Sequence, residues 1–181
     1  MESRDQLDVV LPRLSRLVAG LEDAQLDAPT PCKDFAVRDV MEHMIGGATM
    51  FAAAFRGEEP GPPPATDDRR AAFATAMDDL RSSLDAPGAL ERTIASPFGD
   101  MPGDTFARLV AMDGLVHGWD IATATNQPYD PSSEVVAAVD EFARGALTDD
   151  LRDGDTFAAA VEAPPGASRM AALAAFTGRH V

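Results

Sequence analysis

The sequence predicts a mainly α protein: an antiparallel bundle of four long helices, then a short C-terminal extension with a further helix. Three observations carry this. Apolar residues recur at the 3.6-residue period through four long segments. Stretches rich in Pro and Gly separate those segments. Candidate strands are few and short, so the layers available to bury the apolar stripes are helices.

Residues 4–21 line up Leu7, Val10, Leu11, Leu14, Leu17, Val18 and Leu21 on one stripe; Gly20 and the DAPTP run at 27–31 end this first helix. Residues 37–56 repeat the spacing through Val37, Val40, Met41, Met44, Ile45, Ala48, Phe51, Ala52 and Phe55. Gly46 and Gly47 interrupt it at about 1 kcal/mol each relative to alanine, a cost more easily borne where something packs or binds close to the backbone. GEEPGPPPAT (57–66) holds four prolines and reads as a linker. Phe73, Met77, Leu80 and Leu84 mark a third helix over 67–85, with Asp67 and Asp68 at its N-terminus. Residues 87–103 are rich in Pro and Gly, and LERTIAS (90–96) reads there as a short extended piece. Asp104 is placed to cap a fourth helix over 105–125, which carries Phe106, Leu109, Val110, Met112, Leu115, Val116, Ile121 and Ala124. ATNQPYDPSS (124–133) breaks it. A fifth helix over 133–146 follows through Val135, Val136, Val139 and Phe142. FAAAVEA (157–163) reads as extended and could pair with LERTIAS, and residues 168–177 make a last short helix.

At 181 residues the chain reads as a single domain over 1–181. That length buries roughly 70% of the unfolded surface, so neither a disulfide nor a metal is needed to hold the fold. A bound metal would then be functional before it is structural. The single cysteine, Cys32, excludes an internal disulfide and fits a reducing cytosol. The N-terminus MESRDQLDVV lacks a signal-peptide core, and no apolar run is long enough to cross a membrane, so the expected location is cytoplasmic. A net charge of −15 argues against a nucleic-acid partner. Lys33 is the lone lysine beside many arginines and alanines, a composition typical of a GC-rich genome.

The chemistry concentrates in DGLVHGWD (113–120). Asp113, His117 and Asp120 share one helix face, since residues three and four apart are neighbours there. The stripe borders apolar Leu109, Val110, Met112 and Val116, and His43 sits at a similar edge beside Met44 and Val40 on the second helix. Three readings are open. Asp113 and His117 form a solvated surface pair worth a few tenths of a kcal/mol. Or His43, Asp113 and His117 hold a divalent cation, with two ligands at i and i+4 and a third from a facing helix. Or the histidines are buried and neutral, hydrogen-bonded to Asp113 or Asp120 without metal. Asp120 is either a fourth ligand or an acceptor that orients a histidine or an arginine. Trp119 reads as a packing residue, and His180 as exposed.

Three segments also carry a resemblance. TPCKDFAVRDVMEHMIGG (30–47), DGLVHGWDIATATNQP (113–128) and FTGRH (176–180) resemble the signatures of the DinB-like, mycothiol-dependent maleylpyruvate isomerase N-terminal family. The resemblance implies an up-and-down four-helix bundle of the DinB/YfiT type and an actinobacterial source. It implies a divalent metal, zinc before nickel, iron or manganese, on His43, Asp113 and His117. It implies mycothiol or a similar low-molecular-weight thiol as cosubstrate. The expected function is metal-dependent attack of that thiol on a small electrophile, as an S-transferase or isomerase, with Asp120 as an orienting or proton-handling catalytic group. The alternatives are a metal-dependent hydrolase and a non-catalytic metal- or small-molecule-binding module; the chain would be a monomer or a homodimer. Departures from the pattern are the shorter acid at Asp113, where family isomerases carry glutamate, the short C-terminal part, Phe35 in place of tryptophan, and Ala36 in place of a capping Ser or Thr, a loss of about 1 kcal/mol. Cys32 lies in the first motif beside Lys33 and reads mainly as a loop-packing residue, with a nucleophilic role as the alternative.

Overall fold

The computed structural model describes residues 1–66, 68–96, 98–152 and 157–181. Helices α1 (Ser3–Ala19), α2 (Val37–Arg56), α3 (Arg69–Ser83), α4 (Gly103–Thr125), α5 (Ser133–Ala146) and α6 (Arg169–Phe176) are joined by one hairpin, β1 (Thr93–Ser96) with β2 (Gly99–Pro102). α1 packs on α4 and α3, and α2 packs on α3 and α4, which gives the bundle its four sides. Leu7, Leu14, Met41, Phe55, Phe73, Leu80, Met112 and Leu115 are fully buried between them.

Polar contacts fix the helix directions. Ser3 donates to Asp104 at 2.6 Å, so α1 and α4 start at the same end. Arg81 meets Asp8 while Arg70 reaches Asp23, so α3 runs against α1. Arg69 meets Glu42 and Arg56 meets Asp79, so α3 runs parallel to α2. The four-helix bundle expected from the sequence is present, but its order is up, down, down, up rather than the alternating up-and-down order expected, because the long segment between α2 and α3 lets them run parallel. The proline-rich segment between α2 and α3 is therefore a return strap rather than a tight turn. Its prolines suit that task, because they keep a chain extended without a ladder.

Caps follow the sequence in part. Asp68 accepts from the N–H groups of Arg70 and Ala71 at the start of α3, as expected of it; Asp67 lies outside the described residues. Ala36 begins α2 with no side-chain acceptor, but Asp39 turns back and accepts from the Ala36 N–H at 2.8 Å, which recovers half of a capping box. Asp104 does not cap α4. The N–H groups of Gly103 and Asp104 donate to the carbonyls of Arg92 and Leu90, both at 2.8 Å, so two of the first-turn donors are already satisfied by backbone. Asp104 is free to bind Ser3 and Arg108 instead.

The β element also differs from expectation. LERTIAS supplies β1, but its partner is GDMP next door, with Ser96 opposite Gly99. FAAAVEA forms no strand; the Val161 N–H donates to the Ala175 carbonyl at the end of α6. Closing a short local hairpin costs less chain entropy than pairing across sixty residues, and a helix end offers carbonyls that need a donor.

Candidate metal centre

His43 lies on the second turn of α2, Asp113 and His117 in the middle of α4, and the antiparallel crossing of these helices brings them together. One ligand atom from each of the three lies within 4.8 Å of the other two. His43 Nε2 is 3.7 Å and His117 Nε2 3.4 Å from Asp113 Oδ1. The imidazole centroids are 5.0 Å apart at 67°. Hydrogen bonds from N–H to O run about 2.7–3.2 Å. Ligand atoms at 2.0–2.1 Å from a tetrahedral zinc stand about 3.3–3.4 Å apart. The observed separations match the edges of a coordination polyhedron better than direct hydrogen bonds.

The site has a wet side and a dry side. The side chains of His43 and Asp113 are 46% and 31% exposed, whereas His117 is 8% and Asp120 0% exposed. His117 Nδ1 pairs with Asp120 Oδ2 at 3.0 Å. In the neutral ring that a metal requires, a buried carboxylate there favours the proton on Nδ1 and leaves the Nε2 lone pair for the side facing His43 and Asp113. Asp120 is in turn held by Arg179, whose Nη2 donates to Oδ2 at 3.0 Å and whose Nε donates to Oδ1 at 3.3 Å.

The local field is negative. Desolvation pushes the Asp113 carboxyl up, but the two imidazoles outweigh it and hold it well below the usual carboxylate range. Desolvation pushes His117 down, yet Asp113 and Asp120 overcome this and raise it to about 9. A pocket that draws a proton this strongly onto a buried imidazole favours positive charge at the same place.

The TPCKDF loop forms the wall above His117. Thr30 Oγ1 donates to the Phe35 carbonyl at 2.8 Å, the Phe35 N–H donates to the Cys32 carbonyl, and Asp34 takes the left-handed conformation at φ 66°. This knot sets the Phe35 ring edge-on to His43 at 6.0 Å. It also places Cys32 within ligand reach of His117 and Asp120. That second grouping is a poor cation site, because the Arg179 guanidinium already occupies the Asp120 carboxylate. Burial pushes the Cys32 thiol up, with Arg179 pulling the other way and losing, so the reactive thiolate is disfavoured. Lys33 and His180 are exposed, and Trp119 is half-buried against the core.

The structure thus brings His43, Asp113 and His117 together and sets Asp120 one step behind them. Arg179 was given no role by the sequence reading. The signal was present in two pieces: a helix-face Asp120 that needs a cation once buried, and the arginine of the FTGRH segment at 176–180.

The sequence model of the mycothiol maleylpyruvate isomerase N-terminal domain matches residues 8–122, which include all three candidate ligands and Asp120. The chain belongs to that family. Two uncharacterized proteins from two strains of Mycobacterium tuberculosis are each 32% identical to it over 166 residues, covering 91% of this chain and 91% of theirs. No solved structure matches the chain. The family match ends within α4, so α5, α6 and the Arg179 contact lie beyond it. No helix among the described residues is long and apolar enough to cross a membrane.

Proposed function

We propose that this member of the mycothiol maleylpyruvate isomerase N-terminal family holds a divalent cation, zinc first, on His43, Asp113 and His117. On this reading it is an enzyme that joins a low-molecular-weight thiol of the mycothiol type to a small electrophile. The observation that carries the reading is the donor set itself: two imidazoles and one carboxylate, spaced like the edges of a coordination polyhedron and open to solvent on one side. A cation held there supplies the charge that keeps a bound thiol as thiolate, the nucleophilic form.

The protein's own groups set the stage for that chemistry. Asp120 orients the ring of His117, and Arg179 holds the Asp120 carboxylate in place. This supports Asp120 as a positioning residue rather than a fourth ligand, since His117 and Arg179 engage its carboxylate. Three protein ligands then leave a coordination position free, which favours an enzyme over a closed binding module. The exposed edge at His43 and Asp113 gives a reactant its approach, and Phe35 screens the neighbouring side. A hydrolase would use the same open position for water.

Elemental analysis of gently purified protein, paired with a thiol-transfer assay using mycothiol and a panel of electrophiles, tests the proposal. About one divalent metal ion per chain, zinc first, is expected, falling to background in His43→Ala and Asp113→Ala. A chain that takes up no metal would remove the reading; a metal-loaded chain that cleaves esters or amides without thiol would move it to the hydrolase.

A further inference from the structure

Past the family match, the chain ends in α6 and the segment that carries Arg179. Thr177 stops α6, and Gly178 takes the left-handed conformation at φ 93°. The Gly178 N–H donates to the Ala175 carbonyl at 2.9 Å and the Arg179 N–H to the Ala174 carbonyl at 3.0 Å. This is a Schellman motif, which fixes the backbone of Arg179 relative to the helix it follows. The side chain is tied to the same helix end, because Arg179 Nη1 donates to the Thr177 carbonyl at 3.1 Å. Where α6 sits therefore decides how the guanidinium meets Asp120. Apolar burial holds α6 only modestly: its buried residues are Met170, Leu173, Ala174 and Ala175, and alanines add little area. A polar staple adds to it. Arg152 Nη1 donates to the Phe176 carbonyl at 2.9 Å and to the Ala158 carbonyl at 3.0 Å. The Arg152 guanidinium also lies over the Phe176 ring, its Cζ 4.6 Å from the centroid, and Arg144 of α5 lies over that ring at the same distance. Ala158 lies close against Gly178, where an added Cβ would stand 2.6 Å from the Ala158 Cβ. One guanidinium thus ties the end of α6 to the stretch packed beside it.

We infer that Arg152 is a positioning residue of the candidate metal centre: by holding the end of α6 it sets the grip of Arg179 on Asp120, and through that the ring of His117. This rests on the metal reading above and extends the site to a residue outside α2 and α4. Each link is a direct contact: Arg152 to the Phe176 carbonyl, Arg179 to both oxygens of Asp120, and Asp120 Oδ2 to His117 Nδ1. Groups that orient a ligand must be held within about 0.5 Å of their working geometry. Arg179 meets Asp120 at 3.0 Å through Nη2 and at 3.3 Å through Nε, so a small drift of α6 breaks the longer contact first.

The test is a double-mutant cycle on zinc affinity in the full chain, read by competition with a chelator, with Arg152→Ala, Arg179→Ala and the pair. Beside an intact Arg179, Arg152→Ala is expected to weaken zinc binding roughly 3- to 30-fold. With Arg179 already alanine it should change the affinity by less than about twofold, because the contact it sets is gone. Arg152→Lys keeps a donor for the two carbonyls and should recover part of the affinity. In metal-free protein the Arg179 Nε–H, held on a buried carboxylate, should exchange with solvent severalfold faster in Arg152→Ala than in the wild type. Should Arg152→Ala fold poorly, Phe176→Leu goes through the same cycle, since it removes the ring under the two guanidiniums and keeps an apolar side chain. Unchanged zinc affinity or unchanged Nε–H exchange overturns the inference and leaves the metal reading standing. An equal loss of affinity with and without Arg179 also overturns it, since Arg152 would then serve the fold at large. A wild-type chain that takes up no zinc removes the metal reading and the positioning role with it.

Discussion

Arg179 and Asp120 are 59 residues apart in the chain and in direct contact in the fold. The pair is buried, so removing one partner strands a charge. Arg179→Ala should cost about 3 kcal/mol in urea unfolding, the lower end of what stranding a buried charge costs, because His117 still faces the carboxylate. Arg179→Lys should recover part of this but not the two-point grip on both oxygens. Asp120→Asn keeps an acceptor for the His117 Nδ1–H and loses the charge behind it. Its metal affinity, measured by competition with a chelator, should fall roughly 10- to 100-fold. Unchanged affinity would mean that Asp120 serves packing alone. At this scale the sequence located His43, Asp113, His117 and Asp120, because helical spacing places i, i+3 and i+4 together whatever surrounds them. It could not locate Arg179, whose partner is set by where the C-terminal segment docks.

Helix contacts explain the glycines of the second motif. A Cβ on Gly114 would stand 3.0 Å from Val10, and one on Gly118 would stand 2.3 Å from the Tyr129 hydroxyl and 2.9 Å from Leu14. These two glycines let α1 lie close on one face of α4 while Asp113 and His117 use the next face. Gly118→Ala should therefore destabilise by about 1–3 kcal/mol through overpacking. Gly46→Ala, with open space around it, should stabilise α2 by about 0.5–1 kcal/mol. Opposite signs in thermal or urea unfolding check both. The sequence flagged the Gly46–Gly47 pair as tolerable where something packs close to the backbone, but on the structure Gly46 has open space and Gly47 meets only Phe51 of its own helix at 3.3 Å, whereas Gly114 and Gly118 meet α1 and Tyr129. Glycine in a helix marks a small side chain without saying which neighbour requires it.

The contact between the starts of α1 and α4 should be sensitive to acid. Burial pushes the Asp104 carboxyl up, but the Ser3 hydroxyl and Arg108 outweigh it and hold it below its ordinary 3.8. A depressed folded value means the contribution is present above pH 3.8 and is lost as pH falls through the folded value. The stability gap between wild type and Asp104→Asn should be full at pH 6 and close below pH 3.8, read from urea midpoints across that range.

For the whole molecule, the parallel run of α2 and α3 makes the strap a length requirement. From Glu42 to Arg56 the chain descends fourteen residues, about 21 Å of helix, and the connection must climb back over that distance to bring Arg69 to Glu42. Removing eight of the residues between Gly57 and Asp68 leaves a reach of roughly 17 Å, which is too short. Such a deletion should lose the native bundle by circular dichroism and gel filtration, whereas an insertion of equal length should be tolerated because loop entropy grows slowly with length.

By itself the sequence determined the helices, the proline strap, and the acid–histidine stripe, because these depend on spacing along one chain and on local backbone preference. Tertiary structure alone decided the up, down, down, up order, the hairpin partner of β1 and the grip of Arg179 on Asp120. Each of these is a contact between distant segments. Its energy comes from burial and charge pairing that exist only once the elements have packed.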